Sequence, residues 1–254
     1  MMETANPTGA VALVTGANKG IGFQVAVQLA ERGLTVVVGA RDPERGRAAA
    51  DEMRAAGADA HPVTLDVTDP ATVRQAAGWI EERFGRLDVL VNNAGAAEHP
   101  GHRPSTADLD LVREVFATNV FGVLTVTNAV LPLLHRSPAP RIVNVSSGMG
   151  SLATQSSPDS YLAQVPAMAA YPASKSALNA LTVQYAKELR RGGFLVNAVS
   201  PGPCDTDLTK ELQTTGFPMA RTAAQGAAVV VRLATLGPDG PTGGFFGEDG
   251  PVLW

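Results

Sequence analysis

The sequence predicts an α/β protein, a single domain on a doubly wound parallel sheet with helices on both faces. Short apolar runs rich in β-branched residues alternate with helical stretches of about ten to fifteen residues, the pattern of successive βαβ units. A glycine-rich turn, Thr15 to Gly22, follows the first such run. No linker, internal repeat or low-complexity tract divides the 254 residues, so one domain over 1–254 is expected.

The apolar run Val11 to Val14 precedes Thr15-Gly16-Ala17-Asn18-Lys19-Gly20-Ile21-Gly22, and Ile21, Val25 and Leu29 follow at helical spacing. The glycines therefore lie where a strand becomes a helix. Glycine lets the main chain approach a pyrophosphate, and the free N–H groups and dipole of a helix start favour negative charge. Gly16, Gly20 and Gly22 follow the spacing G-x-x-x-G-x-G rather than G-x-G-x-x-G, and a merely tight strand-to-helix turn is the alternative.

Leu34 to Ala40 reads as a buried second strand ending at Arg41. Asp42-Pro43 starts a helix to Ala56, with Asp as N-cap and Pro in the first turn. His61 to Leu65 is a third strand reaching Asp66, Asp69-Pro70 opens a helix closing near Phe84-Gly85, and Leu87 to Val91 is the fourth strand. Helical periodicity covers Leu109 to Ala129 across the polar Asn119. Arg141 to Val145 is the fifth strand, ending at Ser146-Ser147, and Gly148 to Met168 reads as loop. A helix over Ala173 to Leu189 leads to a sixth strand, Phe194 to Val199, stopped by Pro201-Gly202-Pro203. A helix over Thr222 to Leu236 and a short strand, Gly243 to Phe246, complete the pattern.

A formal charge of -4 without any basic run argues against nucleic acid as a partner. Met1 to Pro7 lacks a basic region followed by an apolar stretch, and no segment approaches about 18 uninterrupted apolar residues. A cytoplasmic protein without membrane anchor is expected. The lone Cys204 cannot form an intrachain disulfide, and His61, His99, His102 and His135 show no metal-ligand spacing, so metal-free chemistry is expected. Cys204 reads as a small residue filling a loop rather than a reactive thiol.

In open parallel sheets ligands bind at the carboxyl ends of the strands. This chain places there the glycines, Arg41, Asp66, Asn92-Asn93-Ala94-Gly95, Ser146-Ser147 and Pro201-Gly202. Tyr171 and Lys175, four apart, share one helix face, where an ammonium stabilises phenolate and lowers the tyrosine pKa. A surface tyrosine beside a solvated lysine is the bland alternative. Tyr161 and Tyr185 have no lysine four residues on.

Together these residues resemble the short-chain dehydrogenase/reductase family, over nearly the whole chain. Thr15 to Gly22 matches its Thr-Gly-x-x-x-Gly-x-Gly turn, Asn92 to Gly95 its Asn-Asn-Ala-Gly, and Tyr171 to Lys175 its Tyr-x-x-x-Lys, in the family's order. The resemblance implies a Rossmann-type fold, a catalytic asparagine at Asn119 and a catalytic serine at Ser147. Asn18-Lys19-Gly20, Ala40-Arg41-Asp42 and the Trp254 tail are similar to the carbonyl reductases. The spacing from Ser147 to Tyr171 exceeds the family's common form by about a dozen residues, so much of 148–168 is expected to be an inserted flap.

The resemblance implies hydride transfer between a nicotinamide and a small-molecule carbonyl substrate. Tyr171 would donate the proton, Ser147 hydrogen-bond the same oxygen, and Lys175 lower the phenol pKa and bind the nicotinamide ribose. Asn119 would hold a water that resupplies protons through Lys175. Gly16, Asn18, Lys19, Gly20, Ile21 and Gly22 would cradle the cofactor, with Asp66 and Val67 at adenine, Asn92, Ala94 and Gly95 at the adenosine ribose, and Pro201-Gly202 at the nicotinamide amide. Gly39, Ala40 and Arg41 stand where an NAD enzyme places a carboxylate, and Lys19 adds a second cation, so NADP(H) is the expected cofactor. Asp42 opposes this, but its place before Pro43 makes it a helix cap first.

Candidate walls, Ala96, Ala97, Met149, Leu152, Tyr161, Met168 and a substrate loop over 203–220, are mostly apolar. They favour an uncharged ketone, aldehyde or quinone, with steroid or polyketide-like ketones equally admissible. Two further readings stand: an NADP-linked alcohol dehydrogenase working in the oxidative direction, and a non-catalytic nucleotide sensor, against which the placed proton donor counts. A homodimer or homotetramer paired through the two long helices is favoured over a monomer.

Overall fold

Eight strands form one sheet in the computed structural model, which describes residues 9–254. The reading of Met1 to Pro7 as lacking a leader lies outside the described residues. The strands are β1 (Val11–Thr15), β2 (Thr35–Ala40), β3 (Ala60–Thr64), β4 (Val89–Asn92), β5 (Arg141–Val145), β6 (Leu195–Val199), β7 (Phe245–Gly247) and β8 (Gly250–Pro251). Their order is β3-β2-β1-β4-β5-β6-β7-β8. All neighbours through β7 are parallel, and β8 turns back antiparallel on β7. This two-residue antiparallel edge departs from the wholly parallel expectation, since a Gly-Pro pair carries no periodic signal. Pro62 fits within β3 because that strand is an edge of the sheet.

The helices are α1 (Gly20–Ala30), α2 (Pro43–Ala55), α3 (Pro70–Phe84), α4 (Leu109–Phe116), α5 (Gly122–Leu134), α6 (Leu152–Ser156), α7 (Tyr171–Leu189), α8 (Lys210–Gln213) and α9 (Ala223–Ala234). The caps follow the sequence: Asp42 Oδ1 accepts from the N–H of Glu44 and Arg45, and Asp69 Oδ1 from that of Ala71, each before a proline. Alternation along the strands buries both faces. Ala12 and Val14 pack with Val25 and Leu29 of α1 and Val230 of α9, while Val11 and Leu13 pack with Ile80, Val126 and Tyr185.

A π turn, Ala117–Phe121, joins α4 to α5. The continuous helix over Leu109–Leu134 has the length and apolar composition of a membrane span, yet 50% of its apolar window is buried inside the protein. At the amino-terminal edge of the sheet, Asp88 accepts from the Val11 N–H at 2.8 Å, from Arg86 Nε at 3.1 Å and from Ser137 Oγ at 2.6 Å. Buried Arg141 donates to the carbonyls of Leu236 and Pro140, and desolvation lowers its pKa.

Candidate active site

β1 lies between β2 and β4, so the strand order reverses there and a crevice opens at their carboxyl ends. Thr15 Oγ1 accepts from the N–H of Asn93 at 2.9 Å and of Ala94 at 3.0 Å. Asn93 Nδ2 donates to the carbonyls of Thr15 and Gly16. These bonds lock the glycine turn to the loop after β4. Gly16 takes φ 64°, and a Cβ on Gly22 would overlap Asn93 Nδ2 and the Gly16 carbonyl oxygen. The mouth of α1 is therefore bare main chain, with Asn18, Gly20 and Ile21 part-exposed around it and no side chain capping it. That is a cradle for an anion.

Lys19 Nζ pairs with Asp207 at 2.7 Å, tying the turn to the 203–220 loop. Hydrogen bonds from Lys19 and Lys210 pull the Asp207 carboxyl down to about 2. Arg41 is exposed after β2 and has no carboxylate partner among the described residues. Asp66 Oδ1 accepts from the N–H and hydroxyl of Thr68, while Val67 is buried against Gly122 of α5. Asn92 is corrected in one respect: both N–H groups of its buried side chain are committed, to Thr127 Oγ1 and Asn144 Oδ1, so that amide is structural. Pro201-Gly202 is held by Arg221, whose Nη1 donates to the Pro201 carbonyl and whose Nη2 pairs with Glu248 at 2.6 Å. Burial raises the pKa of Cys204, as a loop-filling thiol requires.

The helix α7 starts at Tyr171 rather than Ala173, with Pro172 in its first turn. Lys175, 3% exposed, donates from Nζ to the Val145 carbonyl at 2.8 Å and lies 5.6 Å from the centre of the Tyr171 ring. Of the serine pair, Ser146 is buried and donates to Asn179 Oδ1, whereas Ser147 is part-exposed and its Oγ accepts from the Met149 N–H. The turn after Ser147 is fastened to α7, because the Gly150 carbonyl accepts from Ser176 and Asn179. Asn119 is fully buried in the π turn, where Oδ1 accepts from the Ala96 N–H and Nδ2 donates to the Ala96 carbonyl and to Ser174 Oγ. A Cβ built on Gly95 would lie 3.5 Å from Asn119 Oδ1 and 3.8 Å from Lys175 Nζ, so Gly95 faces both.

Burial dominates the electrostatics. It pushes the Tyr171 phenol up to about 12, against a hydrogen bond with Ser147 and with smaller contributions from Glu98 and Tyr161. It brings Lys175 down to about 8. The expectation that Lys175 lowers the Tyr171 pKa is thus corrected for the protein alone: desolvation outweighs attraction, and Nζ is turned to the Val145 carbonyl.

The 148–168 segment is more ordered than a loop. Its 3₁₀ turn Gly148–Gly150 leads into α6, which is capped by Ser151 and tied to the tail through Ser151 Oγ to the Leu253 carbonyl. Trp254 stacks on Phe245. The Tyr161 side chain returns to this turn, where its hydroxyl fills the space a Cβ on Gly148 would need. A cavity of about 560 Å³ opens between His99, Arg103, Thr106, Pro166 and Thr215. Sequence reasoning missed Glu98, whose buried carboxylate meets the start of α7 from 72 or more residues away. Its only signal is an acid placed just after Asn-Asn-Ala-Gly in an otherwise uncharged stretch.

The family model for short chain dehydrogenases matches residues 10–216. The chain belongs to the short-chain dehydrogenase family. This short-chain dehydrogenase is 37% identical over 235 residues to the short-chain dehydrogenase anuI of Penicillium roqueforti, covering 91% of this chain and 90% of that one. The structure of salutaridine reductase from Papaver somniferum is similar with a TM-score of 0.79 and 31% identity, over 94% of this chain and 99% of that one. A gluconate 5-dehydrogenase from Burkholderia cenocepacia, in complex with NADP and tartrate, gives a TM-score of 0.83 at 28% identity, over 94% and 93%. Family membership makes this protein an oxidoreductase acting on small molecules.

Proposed function

We propose that this oxidoreductase reduces an uncharged ketone, aldehyde or quinone with NADPH, using Tyr171 as the proton donor. The observation that carries the reading is the convergence of Tyr171, Ser147, Lys175 and Asn119 beside the bare mouth of α1. The cradle fits a dinucleotide: Gly16, Gly20 and Gly22 leave room for a pyrophosphate against the N–H groups of α1, with Asn18 and Ile21 beside it. Asp66, Val67, Asn92, Ala94 and Gly95 would border the adenosine, Asn92 through its main chain. Pro201 and Gly202 would border the nicotinamide. Arg41, unpaired among the described residues, suits a 2′-phosphate, as does Lys19 when it leaves Asp207. The relative crystallised with NADP supports that choice.

When bound, NADPH supplies the hydride. As the carbonyl oxygen becomes an alkoxide, Tyr171 gives it a proton and the Ser147 hydroxyl donates a hydrogen bond to it. A phenol pushed up to about 12 stays protonated through neutral pH, so the donor is loaded before substrate arrives. Lys175 would hold the nicotinamide ribose and stabilise the phenolate left behind. A water in the space beside Gly95 would reach Asn119 Oδ1 and Lys175 Nζ and return the proton. The 148–168 flap and the 203–220 loop form the walls around the substrate. Arg221 is paired with Glu248 and is no clamp for a carboxylate, which supports an uncharged substrate. Exposed Leu109 and Phe121 on the α4–α5 face support pairing of two copies there, to be tested by light scattering.

The test is consumption of NADPH, followed by absorbance, against aldehydes, diketones, quinones and cyclic ketones with NADH in parallel. Turnover faster with NADPH is expected. NADPH binding without turnover on any of them would overturn the reductase reading in favour of a sensor.

A further inference from the structure

Glu98 lies in the loop after Gly95 and is 5% exposed, although it carries a carboxylate. Its Oε1 accepts from the N–H of Ala170 at 2.6 Å and its Oε2 from the N–H of Tyr171 at 2.7 Å. The helix behind them lacks a cap of its own: Ala170 offers no side-chain acceptor, and Pro172 has no N–H. A distant acid thus does what a local Ser or Asp does at other helix starts.

The two bonds close a ring around the proton donor. The Tyr171 N–H is held by Glu98, and its carbonyl accepts from Ser174 Oγ at 2.8 Å. Ser174 Oγ in turn accepts from Asn119 Nδ2, and Asn119 grips Ala96, two residues before Glu98, by both its N–H and its carbonyl. The main chain of Tyr171 is therefore held at its N–H by Glu98 from the loop and at its carbonyl by Ser174 of α7, which Asn119 of the π turn holds in turn. We propose that Glu98 is a positioning residue for Tyr171, pinning the start of α7 with a two-oxygen carboxylate contact so that the phenol is held where the substrate oxygen must lie. This rests on the reading of Tyr171 as proton donor.

The charge has a second effect, since Glu98 acts to raise the Tyr171 pKa and so keeps the donor protonated. The groups facing the phenol are Ser147, Glu98, Tyr161 and Lys175. Those beside Glu98 in the small void under the loop are His102, whose buried Nδ1 has no partner, and Asp108.

The experiment compares the full-length parent with Glu98→Gln and Glu98→Asp. Glutamine presents one oxygen and an NH2, so one of the two bonds is lost along with the charge. A fall in kcat of about ten- to a hundredfold is expected, with KM for NADPH within about twofold of the parent. Removing a negative charge lowers the phenol pKa, so the basic limb of the kcat profile moves to lower pH in Glu98→Gln. Glu98→Asp keeps the charge but shortens the reach, so it lowers kcat with the basic limb in place. Independently of any substrate, the amide protons of Ala170 and Tyr171, resolved by ¹⁵N correlation, lie downfield in the parent, and the one that loses its acceptor moves upfield in Glu98→Gln. Parent-like kcat and basic limb in Glu98→Gln, or unmoved amide signals, would overturn the proposal. If Glu98→Gln does not fold, parent-like kcat in Glu98→Asp does the same. A parent without turnover sinks the reductase reading instead, and the amide signals then decide the contact alone.

Discussion

The two ends of the sheet use charge in opposite ways. At the amino-terminal edge, Asp88 satisfies Val11, Arg86 and Ser137, and Arg141 satisfies two carbonyls, so the polar groups bind the chain to itself. At the carboxyl edge, Arg41 has no carboxylate partner among the described residues, the mouth of α1 is bare, and Tyr171 carries a proton that burial holds on it. The first arrangement is finished by the protein, and the second is left for a ligand under the proposed function. Charge near the first end should therefore affect stability, and charge near the second affect binding and turnover.

The sharpest break of this contrast is at Tyr171. Tyr171→Phe should lower kcat by about a thousandfold or more while NADPH binding, read by fluorescence, stays near parental. A substantial residual rate would assign the acid elsewhere. Arg41→Asp should weaken NADPH binding by about ten- to a hundredfold and NADH binding little, since a carboxylate repels the 2′-phosphate. Equal losses for both would remove Arg41 from cofactor choice. At the other end, Asp88→Ala leaves a buried N–H without partner and should destabilise by about 2 kcal/mol in urea melts, with kcat of the folded protein unchanged.

Lys175 crosses the divide, because it lies beside Tyr171 yet is buried like a core residue. Its folded pKa of about 8 lies below the unfolded value of 10.5, so below pH 8 the folded state carries the full cost of the buried ammonium. Between about pH 8 and 10.5 the unfolded chain binds more protons, and the Lys175 contribution to stability rises with pH. Tyr171, raised from 10.0 to about 12, contributes stability below pH 10 that is lost as pH climbs toward 12. Lys175→Met removes the buried ammonium and with it the bond to the Val145 carbonyl, two opposing effects at pH 7; it should flatten the rise in stability above pH 8 even as it removes activity. Thermal melts across pH measure both effects. The smallest effect is expected at Lys19, whose pair with Asp207 is exposed: Lys19→Ala should leave the melting temperature unchanged and raise KM for NADPH a few-fold. A lowered melting temperature with unchanged KM would make that pair structural.

Local signals carried most of the fold. Asp42-Pro43 and Asp69-Pro70 mark helix starts because cap and proline act within a few residues, and Arg141 to Val145 reads as a strand from its own composition. Errors fell where the signal was short or shared. The apolar periodicity of α7 begins at Ala173, and proline leaves the preceding residue open, whereas the structure makes Tyr171 the first helical residue with its N–H held by Glu98. Ser146 and Ser147 are identical letters, and only the contact of Ser146 with Asn179 separates the structural one from the one at the crevice. The order of glycines, Asn-Asn-Ala-Gly and Tyr-x-x-x-Lys was enough to indicate the family, because those spacings reflect main-chain geometry at strand ends.

By itself, then, the sequence determined the alternation of elements, the bare turn at α1 and the pairing of Tyr171 with Lys175, all set by neighbours within about a turn or two. Tertiary structure alone decided which polar groups are already taken. Asn92 is committed to Asn144, Lys19 to Asp207, Arg221 to Glu248, and the start of α7 to Glu98. It also decided the protonation of the site: a phenol and an ammonium four residues apart suggest a lowered tyrosine pKa on an exposed helix, but desolvation is the larger effect on both.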